Sequence, residues 1–167
     1  MGFVQRLHSI EPTETWQTIF SAASERYDDG VHLAGATPPR LTGAVYLFGY
    51  AAEILLKAAY FEFTQVPPGD DLFVAGHFSA VKKHQDYGSP NLHEVDRWAN
   101  LLIQERVRQG NPLNPLTATL LRYHVGQVSQ NWKETLRYRS TRANQAEYDE
   151  VKAAVDWLRG QYQQLRS

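Results

Sequence analysis

Cysteine is absent from this sequence, and neither sign of charge dominates it. Without cysteine the chain has no disulfides, thiolate metal sites or cysteine nucleophile, as is common in a reducing compartment. The 17 Lys and Arg residues nearly balance the 18 Asp and Glu residues, so the net charge is −1 at pH 7. This balance argues against a uniformly basic nucleic-acid binder and against a polyacidic chain.

Long hydrophobic runs are also lacking. The longest uncharged apolar stretch is residues 41–52, which is shorter than the about 20 residues that a transmembrane helix needs. Residues 1–12 contain no apolar core of the kind found in signal peptides. We therefore expect a cytoplasmic protein without a membrane segment.

Motifs that bind phosphates, metals or cofactors are missing as well. The sequence contains no glycine-rich phosphate loop and no GxSxG nucleophile motif. His77, His84 and His93 are separated by seven and nine residues, which does not match the i, i+4 spacing of a helical metal site. We predict that these are surface histidines and that the protein uses neither a metal nor a cofactor.

Helical periodicity is the main pattern in the remaining sequence. The chain has 167 residues, of which 43% are hydrophobic and 12% aromatic, enough for a single domain over residues 1–167. No segment shows the alternation of a half-buried strand. The pattern predicts an all-α antiparallel bundle of about five main helices.

The most apolar helix is predicted from residue 41 to the region before Pro67 and Pro68. Its apolar residues cover almost every side, which is typical of a helix at the centre of a domain. Gly43 and Gly49 lie within it, and because glycine weakens a helix by about 1 kcal/mol relative to alanine, they indicate that another helix passes close by. The following residues, 69–90, are predicted to be an irregular excursion with a helical turn or two.

Capping signals mark the other helices. The first helix is predicted to begin after Thr13 and to end at Asp28-Asp29-Gly30. Three further starts are predicted from an N-cap residue followed by Glu or Pro. These are Asn91 with Glu94, Asn114 with Pro115, and Asn144 with Glu147.

The central helix also carries a family signature. Its sequence is Tyr46-Leu47-Phe48-Gly49-Tyr50-Ala51-Ala52-Glu53-Ile54-Leu55-Leu56-Lys57-Ala58. This resembles the YxxGYxxExxLKA helix of the HEPN superfamily (higher eukaryotes and prokaryotes nucleotide-binding). Asn91-Leu92-His93-Glu94-Val95 resembles the family's H-(D/N)-L helix start, and Leu136-Arg137-Tyr138 resembles its RY element. The resemblance covers residues 41–166.

The resemblance implies a small helical bundle, often a homodimer, and two classes of function. Many members of the family are metal-independent ribonucleases of toxin–antitoxin and defence systems, which use an Arg-x(4–6)-His motif late in the domain. Other members bind nucleotides or RNA, or act as partners of nucleotidyltransferases. In this sequence no histidine follows His124, and the motif spacing is matched only by Arg26 and His32, which precede the signature helix. The ribonuclease pattern is therefore absent from its usual position.

Glu53 and Lys57 are four residues apart on the central helix. Burial of either charge without a partner would cost several kcal/mol, so one interpretation is an internal ion pair. The other interpretation places Glu53 at a cleft, where desolvation would prepare it to act as a base.

A basic segment with interleaved aromatic residues occupies residues 122–142. It contains five basic residues and one acidic residue, a net charge of +4, which is a typical footprint of phosphate and base recognition. The alternative is a solvated helix end in which Trp132 belongs to the core. The candidate nucleotide- or RNA-binding residues are Arg122, His124, Lys133, Arg137, Tyr138, Arg139 and Arg142.

Three functional hypotheses follow. The first is a nucleotide- or RNA-binding, or partner-binding, module of a defence, toxin–antitoxin or nucleotidyltransferase-linked system, with an antitoxin or nucleotidyltransferase as partner. The second is a metal-independent ribonuclease in which Arg26 acts with His32, or His124 with Arg122 or Arg137. The third is a structural dimer or adaptor.

Overall fold

The computed structural model describes residues 14–138 and 142–167, without the side chains of Arg137 and Tyr138. Within these ranges it contains six α-helices, one 3-10 helix and no strand. The helices are α1 (Trp16–Ala34), α2 (Leu41–Phe63), α3 (His77–Lys83), α4 (Val95–Arg108), α5 (Pro115–Asn131) and α6 (Gln145–Arg166), with the 3-10 helix (Glu134–Tyr138) between α5 and α6. The predicted all-α class is confirmed, and α3 is the helical part of the predicted excursion.

Helix α2 lies at the centre of the bundle, as its apolar pattern predicts. It contacts α1, α4, α5, α6 and the 3-10 helix, and most of its residues are buried. It is also the one described helix that is long and apolar enough to cross a membrane, but 78% of its most apolar window is buried within the protein. Its composition is therefore that of a core helix.

The glycines of the central packing make room for large side chains. A Cβ added to Gly49 would lie 2.0 Å from Cγ of Trp132, and one added to Gly30 would lie 2.8 Å from the Phe48 ring. The neighbouring helix predicted from the glycines is found at Gly43, which faces Leu33 of α1, whereas the close neighbour of Gly49 is an indole ring rather than another helix. Trp132 is buried and its Nε1–H donates to the carbonyl of Tyr46 at 3.0 Å.

Helix α1 differs from the prediction at both ends. Its N-cap is Thr15, whose Oγ1 accepts a hydrogen bond from the Thr18 N–H at 3.2 Å. The helix then continues through Asp28-Asp29-Gly30 to Ala34. Gly30 does not end the helix because it is buried against Phe48 and serves packing instead.

The predicted capping box of α4 is wrong, whereas the other two starts are confirmed. Helix α4 begins at Val95 with Glu94 as an N-cap that makes no side-chain capping bond. Asn91 does not cap the helix, and its Oδ1 accepts from the His93 N–H at 3.1 Å. Asn114 caps α5 with Pro115 in its first turn, and Asn144 forms a capping box at α6 with Glu147.

Candidate functional site

A buried ion pair lies in the middle of α2. The Lys57 ammonium donates to Oε1 of Glu53, and the two side chains are only 10% and 1% exposed. The ammonium also lies 5.5 Å from the ring centroids of both Phe78 and Trp98, distances at which a cation is attracted to an aromatic face. The predicted internal ion pair is confirmed.

His93 joins this pair from the segment before α4. Its Nδ1 lies 3.0 Å from Oε1 and 3.1 Å from Oε2 of Glu53. A carboxylate paired with a lysine can only accept a hydrogen bond, so Nδ1 carries the proton and donates it. Glu53 therefore binds Nδ1 and leaves Nε2 of His93 uncontacted by the carboxylate. The side chain of His93 is 39% exposed. A buried carboxylate therefore orients an exposed imidazole.

The backbone just before His93 is fixed by two buried aromatic residues. The hydroxyl of Tyr87 donates to the carbonyl of Asn91 at 2.8 Å, and the indole N–H of Trp98 donates to the carbonyl of Leu92 at 2.8 Å. Both rings are fully buried. The position of the imidazole is thus set by the core as well as by Glu53.

His93 lies at the edge of a cleft of about 280 Å³ between the start of α4 and the end of α5. Lys133, just after α5, lines the opposite side, and Asp96, Ser129 and Glu134 also line it. The buried residue Trp132 also lines the cleft, and its ring meets Tyr50 edge-on at 5.8 Å. The ring centroid of Tyr50 is 6.4 Å from that of His93.

The cleft combines an unpaired cation with carboxylates. Lys133 is exposed and has no acidic partner among the residues that the structure describes. Glu94 is neutralised by an ion pair with Arg97, whereas Asp96 and Glu134 are free of such a pair within the described residues. The arrangement offers an ammonium for a phosphate, carboxylates for hydroxyl groups and an imidazole for proton transfer.

The basic segment predicted as one binding patch is divided in the described structure. Lys133 lines the His93 cleft, Arg142 lines a separate larger cavity, and Arg122 is exposed on α5. Arg139, together with the side chains of Arg137 and Tyr138, lies outside the described residues.

His124 faces α6 rather than the cleft. Its ring stacks on Trp157 with centroids 4.8 Å apart and an interplanar angle of 20°. Partial burial of the imidazole lowers the pKa of His124, because a charged ring would lose solvation there. His124 is therefore a packing residue, and its environment favours the neutral ring.

Arg26 and His32 are not brought together. Both lie on α1, where Arg26 pairs with Asp29 at 3.4 Å and His32 is exposed. Residues six apart on a helix lie on different sides of it and about 9 Å apart along its axis. Of the catalytic candidates predicted from the sequence, only Glu53 contacts a residue that lines the cleft, namely His93.

The histidines predicted not to bind metal each meet a different carboxylate. His77 lies 3.1 Å from Asp70, His84 lies 3.8 Å from Asp86, and His93 pairs with Glu53. No group of three or more metal-ligating side chains is found in the described part of the chain.

His93 was not among the predicted site residues. Glu53 and Lys57 lie in one motif and His93 in another, and nothing in their spacing reveals that the chain returns to the middle of α2 after residues 69–90. Comparison with protein-family models, curated proteins and solved structures gives no match to this chain. The function must therefore be inferred from the geometry of the cleft.

Proposed function

We propose that this chain is a HEPN-like protein that binds RNA or a nucleotide at the cleft between His93 and Lys133. The observation that carries the proposal is the buried Glu53 carboxylate holding an exposed imidazole at the cleft edge, opposite an unpaired lysine. A ribonucleotide presents a phosphate for Lys133 and hydroxyl groups for Asp96 and Glu134. Arg137, Tyr138 and Arg139 are proposed as further contacts with the RNA.

The binding proposal is tested by fluorescence anisotropy with a labelled single-stranded RNA of mixed sequence at low salt. His93→Gln and Lys133→Gln are each expected to weaken the affinity about tenfold, which corresponds to about 1.4 kcal/mol. Lys133→Gln should also reduce the salt dependence by one phosphate contact. Lys82→Gln, a change at an exposed lysine on α3, is the matched control. Unchanged affinity in both cleft variants would remove the cleft from the proposal.

A second candidate function is metal-independent RNA cleavage, favoured by the hydrogen bond between Glu53 and His93. In that reaction the imidazole accepts the proton of a ribose 2′-hydroxyl, whose oxygen attacks the adjacent phosphorus. A 2′,3′-cyclic phosphate forms as the bond between phosphorus and the 5′-oxygen breaks, and the 5′-oxygen takes a proton from solvent water, whose hydroxide then removes the proton from the imidazolium. Lys133 would stabilise the charge that develops on the phosphate.

Cleavage is tested with the purified protein and a mixed RNA pool in EDTA. We expect His93→Gln to abolish any cleavage and His32→Gln, at an exposed residue of α1, to preserve it. Absence of cleavage at high protein concentration would leave the binding function as the proposal.

We also propose a homodimer, with a nucleotidyltransferase or an antitoxin as a further partner class. Sedimentation velocity tests the dimer directly. The alternative of a structural adaptor predicts a dimer that neither binds nor cleaves RNA, so the anisotropy measurement separates it from the first proposal.

A further inference from the structure

A second cavity lies away from the His93 cleft. It has a volume of about 850 Å³ and is formed by the end of α1, the connection to α2, the first turn of α2 and the residues before α6. Leu33, Pro38, Pro39 and Leu41 give it an apolar wall. Its size is within the range of about 300–1,000 Å³ that is usual for small-molecule sites.

Two arginines line this cavity from distant parts of the sequence. Arg40 comes from the connection between α1 and α2, and Arg142 from the segment before α6. Neither has an acidic partner among the described residues, and no acidic residue lines the cavity. Glu147 lines a smaller cavity with Arg142, but its carboxylate accepts from the Asn144 N–H at 2.8 Å.

The unpaired state of these arginines contrasts with that of several others in the described ranges. Arg26, Arg97, Arg108 and Arg166 each form an ion pair with Asp or Glu. Two guanidinium groups without carboxylates at one cavity produce a local positive potential, which attracts an anion. Guanidinium groups match the geometry of phosphate oxygens and bind them in pairs of hydrogen bonds.

The start of α2 adds to this potential. The N-cap position is Arg40, whose side chain makes no capping hydrogen bond. The first amides of α2 therefore lack a side-chain acceptor from the cap, and the positive end of the helix dipole lies at the cavity.

We propose that this cavity binds an organic phosphate with an aromatic or apolar body, such as a nucleoside monophosphate. The phosphate contacts Arg40 and Arg142, and the body lies against the wall formed by Leu33 and the two prolines. This site is separate from the His93 cleft and does not depend on the function proposed for it.

The test is isothermal titration calorimetry of the full chain with AMP, phenyl phosphate, adenosine and inorganic phosphate. We expect AMP or phenyl phosphate to bind at least tenfold more tightly than adenosine or inorganic phosphate. Only AMP and phenyl phosphate carry both a phosphate group and an aromatic body. Arg40→Gln and Arg142→Gln should each weaken that binding at least tenfold. Both arginines are exposed, so thermal melting should show folded variants.

A matched variant distinguishes this site from the rest of the molecule. Arg122→Gln removes an exposed arginine of α5 that has no acidic partner among the described residues, and it should leave the binding unchanged. The proposal is overturned if neither organic phosphate binds at up to about 10 mM. It is also overturned if adenosine binds as well as AMP, or if Arg122→Gln weakens binding as much as Arg40→Gln.

Discussion

Nδ1 of His93 lies 3.0 Å from Oε1 of Glu53, although 40 residues of sequence separate them. This contact joins the buried centre of α2 to the edge of a solvent-accessible cleft. Lys57 pairs with the same carboxylate and balances its charge. A change at Glu53 is therefore expected to affect both the stability of the core and the position of the imidazole.

The ion pair of α2 should respond differently to single and double substitution. Glu53→Leu or Lys57→Leu alone leaves one buried charge without its partner, so each should lower the free energy of unfolding by about 3–5 kcal/mol. The double variant leaves neither charge and should recover most of that loss. Urea unfolding followed by circular dichroism measures all three values.

A double variant as unstable as the single variants would contradict this interpretation of the pair. In that case the cost would arise from the shape of the side chains rather than from the unpaired charge.

Gly49 and Gly126 should respond in opposite directions to alanine. The added methyl of Gly49→Ala would lie 2.0 Å from Trp132 Cγ, whereas that of Gly126→Ala meets no atom within 4 Å. Gly49→Ala should therefore lose about 1–3 kcal/mol or more of unfolding free energy through overpacking. Gly126→Ala should gain about 0.5–1 kcal/mol, because alanine has the higher helix propensity.

Chemical denaturation of these two variants provides the comparison. Equal stabilities would show that the indole of Trp132 is not held against α2 as described.

The partly buried ring of His124 should make the protein less stable in mild acid. In the folded state, burial lowers the pKa of His124 below its ordinary value of 6.5. The unfolded chain therefore binds this proton more tightly than the folded protein does. The contribution of His124 to stability is complete above about pH 6.5 and is lost as the pH falls towards the folded pKa. His124→Gln should therefore lose less stability than the parent protein between about pH 7.5 and about pH 5.5.

The control for this pH effect is His32→Gln, because His32 is exposed on α1. Its pH profile of urea midpoints should follow that of the parent protein. A His124→Gln profile parallel to the parent would refute the assignment.

The sequence patterns predicted the features of the fold that depend on interactions within a single helix. The apolar coverage of α2 placed it at the centre, and the caps at Asn114 and Asn144 are where the pattern indicates. The i, i+4 spacing of Glu53 and Lys57 likewise predicted their ion pair. Each of these features is decided within a few turns of one helix.

Features decided by tertiary contacts were not predictable in this way. Gly30 continues α1 because Phe48 packs against it, and Asn91 bonds to the His93 amide instead of capping α4. The net charge of residues 122–142 does not specify which way each side chain faces. His93 reaches Glu53 only because the chain before α4 folds back onto α2, where Tyr87 and Trp98 hold its backbone.

The contact between His93 and a ligand is tested most directly by NMR of ¹⁵N-histidine-labelled protein during titration with a short single-stranded RNA. We expect the ring signals of His93 to shift progressively with RNA, while those of exposed His32 stay in place and the Nδ1 proton of His93 is retained. RNA binding that leaves the His93 signals unmoved would contradict its role at the cleft.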